Sequence, residues 1–157
     1  TLGDLPLVCE HRDCSPWNVL VRADGELTFL DWESAEPCGL PALDLIYFLT
    51  YLAFFVDGAM ESGRFRDSYR AALNPATFTG KVLAECQRQY ITRTGLDPAA
   101  LRPLRLLVWL IHSQSEYEQF VAEAAGQPEP AALRCSLFVS LWEEELHYAN
   151  GAVKTGA

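Results

Sequence analysis

Two short β-type runs, residues 19–22 and 26–30, flank Asp24-Gly25. An Asp-Gly pair between such runs is a strong hairpin signal, so the chain should go out and come back here. Ahead of it, residues 5–9 (L-P-L-V-C) read as a short buried run. Behind it, residues 43–56 (L-D-L-I-Y-F-L-T-Y-L-A-F-F-V) are apolar nearly all round. That is the pattern of a central helix buried on most sides. The run is too short for a membrane span, which needs about 20 residues. Residues 57–80 carry Gly58, Gly63, Asn74-Pro75 and Gly80 and read as a loop with one short helix around 65–72. Val82, Cys86 and Tyr90, four apart, give residues 81–94 one apolar helical stripe, stopped at Gly95. Asp97-Pro98 reads as an N-cap with proline at the first helical position. The helix restarts at Pro103 and runs to about residue 125, with Leu104, Leu107, Val108 and Ile111 inward. A last helix over 130–150 turns Cys135, Phe138, Val139, Trp142 and Leu146 to the core, and Gly151 stops it before a loose tail.

Composition narrows the classes. A length of 157 residues, half of them apolar, is one domain, 1–157, with a real core. The net charge is −9 and the only lysines are Lys81 and Lys154. No basic patch for nucleic acid and no polybasic segment for anionic lipid is present. An acidic surface favours a cationic substrate, although solubility is the commoner use of such charge. Five cysteines, an odd number with no C-x-x-C, form neither a metal signature nor a disulfide framework. They suit a reduced, cytoplasmic setting, with Cys14 a small apolar filler rather than a nucleophile.

The chemistry lies in His11-Arg12-Asp13-Cys14-Ser15-Pro16-Trp17-Asn18 and in Asp31-Trp32-Glu33. Asp13 and Asn18 are five apart, and Asp31 is 18 beyond Asp13. The hairpin between them returns Asp31 toward Asn18. Phosphoryl transfer asks for a base or orienting group at the attacking hydroxyl and for Mg²⁺ on the phosphates. Mg²⁺ takes hard oxygen ligands, commonly one or two carboxylates with phosphate oxygens and water. An Asp and an Asn suit the metal, and a second Asp suits the hydroxyl.

H-R-D with Asn at plus five resembles the catalytic loop of kinases. With Asp31-Trp32-Glu33 in place of D-F-G, and with Gly39, Pro41 and Asp44-Leu45 close behind, the chain resembles the aminoglycoside phosphotransferase and choline kinase group, small-molecule kinases that share the protein-kinase fold. The resemblance implies a mainly α (α+β) fold with a small β-hairpin, the C-terminal helical lobe of that fold. It implies Asp13 as the catalytic Asp, Asn18 and Asp31 as Mg²⁺ ligands, Glu33 near the metal and Asp44 as a brace for the loop. His11 is expected to bond loop backbone rather than to act as acid or base, and Arg12 to pair with Asp31 or Glu33, or with an acidic side chain elsewhere. Two departures stand out: Arg12 occupies the place of the usual Gly, and Ser15 the place of a Lys or His. The absence of D-F-G and A-P-E disfavours a protein kinase.

No G-x-G occurs in the chain and no Lys precedes His11, so the nucleotide-cradling lobe is expected outside this sequence, and the chain by itself is expected to be inactive. The complete protein would move the γ-phosphate of ATP or GTP to a hydroxyl of an aminoglycoside-, amino alcohol- or sugar-like molecule. The alternative is an inactive kinase-like domain that binds a ligand or partner. Glu116 and Tyr117 are candidate acceptor contacts, as are Glu118 and Glu143 to Glu145, although surface charge is the default reading of such residues.

Overall fold

The computed structural model describes residues 4–123 and 135–152. The chain divides into two compact units, residues 1–101 and 102–157. In the first, β1 (Val8–Glu10) leads to a 3-10 turn at Pro16–Asn18, then to β2 (Val19–Val21), β3 (Leu27–Phe29) and β4 (Glu36–Gly39). Helices follow: α1 (Leu43–Val56), α2 (Ala59–Ser62), α3 (Phe65–Leu73) and α4 (Phe78–Thr94). This is the mainly helical α+β architecture that the pattern predicts.

The hairpin forms where the Asp-Gly signal places it, with Val19 opposite Phe29 and Val21 opposite Leu27. Its loop has the three residues, 23–25, that lie between the two runs. Gly25 N donates to Arg22 O at 2.9 Å, and Arg22 N donates to Glu26 O at 2.8 Å. Gly25, at φ +85°, takes the left-handed position that closes such a loop. The second pairing, β1 with β4, has no local signal. Val8 lies opposite Gly39 and Glu10 opposite Glu36, with a bulge between. Close approach is possible because residue 39 is Gly: a Cβ there would sit 2.2 Å from Glu10 Oε2 and 2.5 Å from Glu10 Cβ.

Helix α1 spans the expected residues. Ile46, Leu49, Ala53 and Phe54 are all buried, as an apolar face on nearly every side requires. Leu49 and Ala53 meet Ala72 of α3 and Leu83 of α4 in one cluster, with Leu45, Phe48, Leu52 and Cys86 around it. Helix α4 starts three residues earlier than its apolar stripe, because Thr77 caps it and accepts from Gly80 N at 3.0 Å. Gly95, at φ +73°, ends it as expected. Asp97 accepts from Ala99 N and opens a 3-10 turn, Pro98–Ala100, that runs directly into α5 (Leu101–Glu123). Pro103 lies within the first turn of α5 rather than at its start; no intrahelical donor is needed there.

The second unit holds most of α5 and α6 (Leu137–Ala152). Cys135 lies in a turn before α6 instead of on its core face. Residues 130–134 of the expected last helix, and Gly126 and Pro128, fall outside the described residues. Helix α6 passes through Gly151 rather than stopping there. Arg105 donates to fully buried Glu145 at 2.7 Å. His112 stacks on Phe138 with ring centroids 5.1 Å apart. Burial lowers the His112 pKa to about 4, so the ring is neutral at pH 7. The unfolded chain binds this proton near pH 6.5 and the folded chain only near 4. Its contribution to stability is therefore complete above 6.5 and falls away as the pH drops to 4, by about 3 kcal/mol for a shift of this size. Urea midpoints should thus fall more steeply between pH 7 and 4.5 for the wild type than for His112→Phe. Parallel pH profiles would contradict this.

Candidate active site

The segment His11 to Asn18 leaves β1 and is held by the start of α1. Asp44 Oδ2 accepts from His11 N at 2.6 Å, and Asp44 Oδ1 accepts from Arg12 N at 2.9 Å. Two consecutive backbone donors on one carboxylate fix the path of the loop just before Asp13, and an ionised acceptor makes such bonds strong. The N-terminal turn of α1 favours the same negative charge.

His11 works from behind the loop. Its Nε2 donates to Leu30 O at 2.7 Å, tying the loop to the end of β3, and its ring packs on Trp32 at 4.6 Å. The ring is 3% exposed, and its Nδ1 has no hydrogen-bond partner among the described residues. This is a positioning role, with no path for proton exchange with substrate. Beside it, burial pushes the Cys14 thiol up to about 11, so Cys14 stays protonated and acts as filler.

Asp13 and Asn18 come together directly. Asn18 Nδ2 donates to Asp13 Oδ2 at 2.9 Å and to Asp13 O at 3.0 Å. The 3-10 turn makes this possible: Ser15 N donates to Asp13 O at 2.9 Å, and Asn18 N to Ser15 O at 3.0 Å. With its nitrogen committed to Asp13, the Asn18 amide keeps Oδ1 as an acceptor. Ser15 is buried, so this position presents no cation. Leu30 N donates to Asn18 O at 2.8 Å, one rung beyond the Val19–Phe29 pair. Asp31 is the next residue, and it is exposed. The hairpin therefore delivers Asp31 to the end of the ribbon where Asn18 begins it. Glu33 follows in an exposed turn.

Among the described residues, three other than Gly have positive φ: Arg12 (69°), Asp31 (61°) and Ala42 (65°). All three adjoin the loop, the returning carboxylate or the turn into α1, where a strained backbone aims functional groups. Arg12 is informative because Gly is the residue usual at its place in the resembling group. Its side chain is exposed, and it forms no ion pair with Asp31 or Glu33, two of the partners expected for it. Its charge does act on Glu10, whose pKa is raised mainly by burial and pulled back in part by Arg12. Arg12→Gly should relieve about 1–2 kcal/mol of left-handed strain and lose about 0.4–1 kcal/mol to added unfolded-chain entropy. The net expectation is a slightly higher urea midpoint. A lower midpoint would show that the guanidinium contributes more to the fold than the strain costs.

Sequence reasoning passed over two further residues. Glu10 is 9% exposed, and its Oε2 accepts from Leu40 N at 3.1 Å; burial raises its pKa, and the Leu40 bond opposes the rise. The Tyr90 hydroxyl oxygen on α4 accepts from Ala42 N at 2.8 Å and so supports the turn that carries Asp44. A carboxylate one residue before the His11 motif was the available signal for Glu10. Nothing local marks Tyr90. A cavity of about 370 Å³ behind the loop is lined by His11, Cys14, Trp32, Asp44 and Tyr90 among others, and by none of Asp13, Asn18 or Asp31. It therefore backs the loop and is separate from the group of oxygens in front. Glu116 and Tyr117 lie on α5 in the second unit, and Glu116 accepts from the Ser136 hydroxyl.

Among the described residues, no three His, Cys, Asp or Glu side chains form a metal cluster. Asn18 and Asp31 supply two hard oxygens at one end of the hairpin, a donor set suited to Mg²⁺ that completes its shell with phosphate and water. No curated protein and no solved structure matches the chain. Residues 2–104, which span the catalytic segment, both strand pairs, α1 to α4 and the start of α5, match the phosphotransferase enzyme family APH. On that match, which covers about two thirds of its 157 residues, the chain belongs to the APH phosphotransferase enzyme family.

Proposed function

We propose that this chain is the catalytic, acceptor-side part of a small-molecule kinase that moves the γ-phosphate of ATP or GTP to a hydroxyl. The observation that carries this reading is the Asn18 amide bonded at 2.9 Å to Asp13 Oδ2 while its own backbone carbonyl holds Leu30, the residue before Asp31. In this reading Asp13 Oδ1, left free by that bond, accepts the hydrogen bond of the substrate hydroxyl and takes its proton as the oxygen attacks the γ-phosphorus. The bond to the β–γ bridging oxygen breaks, and the nucleoside diphosphate leaves. Asn18 Oδ1 and the Asp31 carboxylate would hold Mg²⁺, with Glu33 as an outer oxygen. Bound Mg²⁺ supplies charge neutralisation on the phosphates. Asp44 and His11 keep the loop in register, and Ser15 leaves phosphate contact to residues outside the loop.

The acceptor class is an aminoglycoside-, amino alcohol- or sugar-like hydroxyl compound. A net charge of −9 favours a cationic one. Glu116 Oε1 and Tyr117 are the proposed contacts for it. The expected partners are that substrate and the protein's own nucleotide-binding lobe, with no nucleic acid and no membrane; among the described residues no helix is long and apolar enough to cross one.

The test is a transfer assay with the protein carrying a nucleotide-cradling lobe, since the 157 residues contain no G-x-G. Labelled γ-phosphate is offered from ATP and from GTP to a panel of aminoglycosides, amino alcohols and sugars. Label should appear on at least one acceptor hydroxyl and should depend on Asp13. Label on none, with nucleotide still bound, would make the chain a binding domain.

A further inference from the structure

Ala42, the N-cap residue of α1, sits at φ 65° and ψ −5° and is 3% exposed. Its methyl group offers no acceptor, and α1 starts without a side-chain cap. Its carbonyl accepts from Ile46 N at 2.9 Å and so opens the helix. Its N–H turns elsewhere and donates to the Tyr90 hydroxyl oxygen at 2.8 Å, 48 residues further along the chain. A buried backbone donor needs a partner, and a left-handed residue other than glycine persists only where its surroundings over-determine it. The Tyr90 oxygen meets both needs. Two residues on, Asp44 accepts from His11 N at 2.6 Å and from Arg12 N at 2.9 Å. Arg12, left-handed at φ 69°, is therefore held as Ala42 is, by a side-chain oxygen on its own N–H. Tyr90 is itself fixed on α4. Thr94 Oγ1 donates to its carbonyl at 2.8 Å, and α4 packs on α1 where Leu83 meets Leu49 and Ala53. Tyr90, Ala42, Asp44 and His11 all line the cavity behind the loop, which Asp13, Asn18 and Asp31 do not line.

We infer that Tyr90 is a positioning residue for phosphoryl transfer: its hydroxyl oxygen holds the Ala42 turn, the turn aims the Asp44 carboxylate, and the carboxylate sets the backbone that presents Asp13. The inference rests on the phosphotransferase reading of Asp13. Tyr90 touches no reacting atom; it acts from behind the loop, through Asp44. Without the hydroxyl, Ala42 N loses its acceptor and the left-handed turn relaxes. Asp44 then shifts against His11 N and Arg12 N, and Asp13 moves with them. A misplacement of about 1 Å can cost about 10²-fold in rate, so a kcat loss of about 10–100-fold is expected. Asn18 is tied to the hairpin by the bond from Leu30 N to its carbonyl, and Asp31 follows Leu30. Metal–nucleotide affinity should therefore hold.

The experiment compares wild type with Tyr90→Phe, which keeps the ring and deletes the hydroxyl, in the protein carrying its nucleotide-binding lobe. Backbone amide exchange and steady-state kinetics are both measured. The His11, Arg12 and Ala42 amides should exchange at least about 10-fold faster in Tyr90→Phe, while those of Val19, Val21 and Leu30 in the hairpin stay as in the wild type. On the acceptor that the wild type uses, kcat should fall with nucleotide KM unchanged. Glycine takes the left-handed conformation without strain, so adding Ala42→Gly to Tyr90→Phe should restore part of the lost kcat. Unchanged exchange at His11 and Arg12 would overturn the inference. So would faster exchange spread evenly over the loop, the hairpin and α4, which marks general loosening, or a kcat equal to that of the wild type. Should the wild type transfer phosphate to no acceptor, the phosphotransferase reading fails instead, and the exchange pattern alone decides whether Tyr90 holds the loop.

Discussion

Asp13→Asn is expected to lower kcat by about 10²–10⁴-fold, the usual worth of a positioned general base, and to leave nucleotide affinity nearly unchanged. The reasoning starts from the Asn18 amide, which bonds Asp13 Oδ2 at 2.9 Å. An Asn at 13 keeps the size and shape of that contact and removes the basic oxygen, so the loop should survive while proton transfer suffers. The nucleotide's phosphates answer to Asp31 and Asn18, not to Asp13, so nucleotide KM should hold. The check is a full steady-state analysis of the variant in the protein carrying its nucleotide-binding lobe. A loss of nucleotide affinity as large as the loss in kcat would contradict the separate roles given to these residues.

Asp31→Ala should produce the complementary defect. Residues that only support a metal ligand typically cost about 10–100-fold in metal affinity when removed. The loss of a ligand carboxylate should exceed that, so metal–nucleotide affinity is expected to fall by at least about 100-fold. Asn18→Ala should weaken the same site less, because a neutral amide oxygen holds Mg²⁺ less strongly than a carboxylate. It should also depress kcat, since its Nδ2 holds Asp13 on both the side-chain and backbone oxygens. Asp31→Ala also removes a residue held at φ +61°, a conformation that Ala tolerates poorly. Asp31→Asn is therefore the matched control for backbone strain: it keeps the αL preference and loses the charge. Titration of Mg²⁺ against each variant at fixed nucleotide gives the order directly. An Mg²⁺ affinity for Asp31→Asn equal to that of the wild type would remove Asp31 from the metal site.

Much of this arrangement is readable in the residues because its signals are local. Asp24-Gly25 between two β-type runs marks the hairpin, and the unbroken apolar run from Leu43 to Val56 marks α1 to the residue. The five-residue spacing of Asp13 and Asn18 becomes a bond because a single 3-10 turn fits between them. What escaped is non-local or conformational. The β1–β4 pairing joins strands of three and four residues, one containing Pro37, and its sense comes from Gly39 yielding to Glu10 across 29 residues. Left-handed backbones at Arg12 and Ala42 carry no glycine to announce them. Gly151 resembles a helix stop, yet α6 continues through it, since glycine weakens a helix interior without forbidding it. Glu116, a candidate acceptor contact with surface charge as its default reading, instead takes a bond from a hydroxyl twenty residues further on, which no local signal marks.

The central claim is that Asn18 and Asp31 share a divalent cation in front of Asp13. The most direct measurement replaces Mg²⁺ with paramagnetic Mn²⁺ in the isotope-labelled protein carrying its nucleotide-binding lobe, with nucleotide present, and follows backbone NMR signals through the titration. Signals of Asp13, Asn18, Leu30 and Asp31 should broaden first, before those of α3, α4 and the Asp24-Gly25 loop at the far end of the hairpin. Asp31→Asn should abolish that order. Broadening that begins elsewhere, or that is unchanged in Asp31→Asn, would contradict the assignment of the metal to this end of the hairpin.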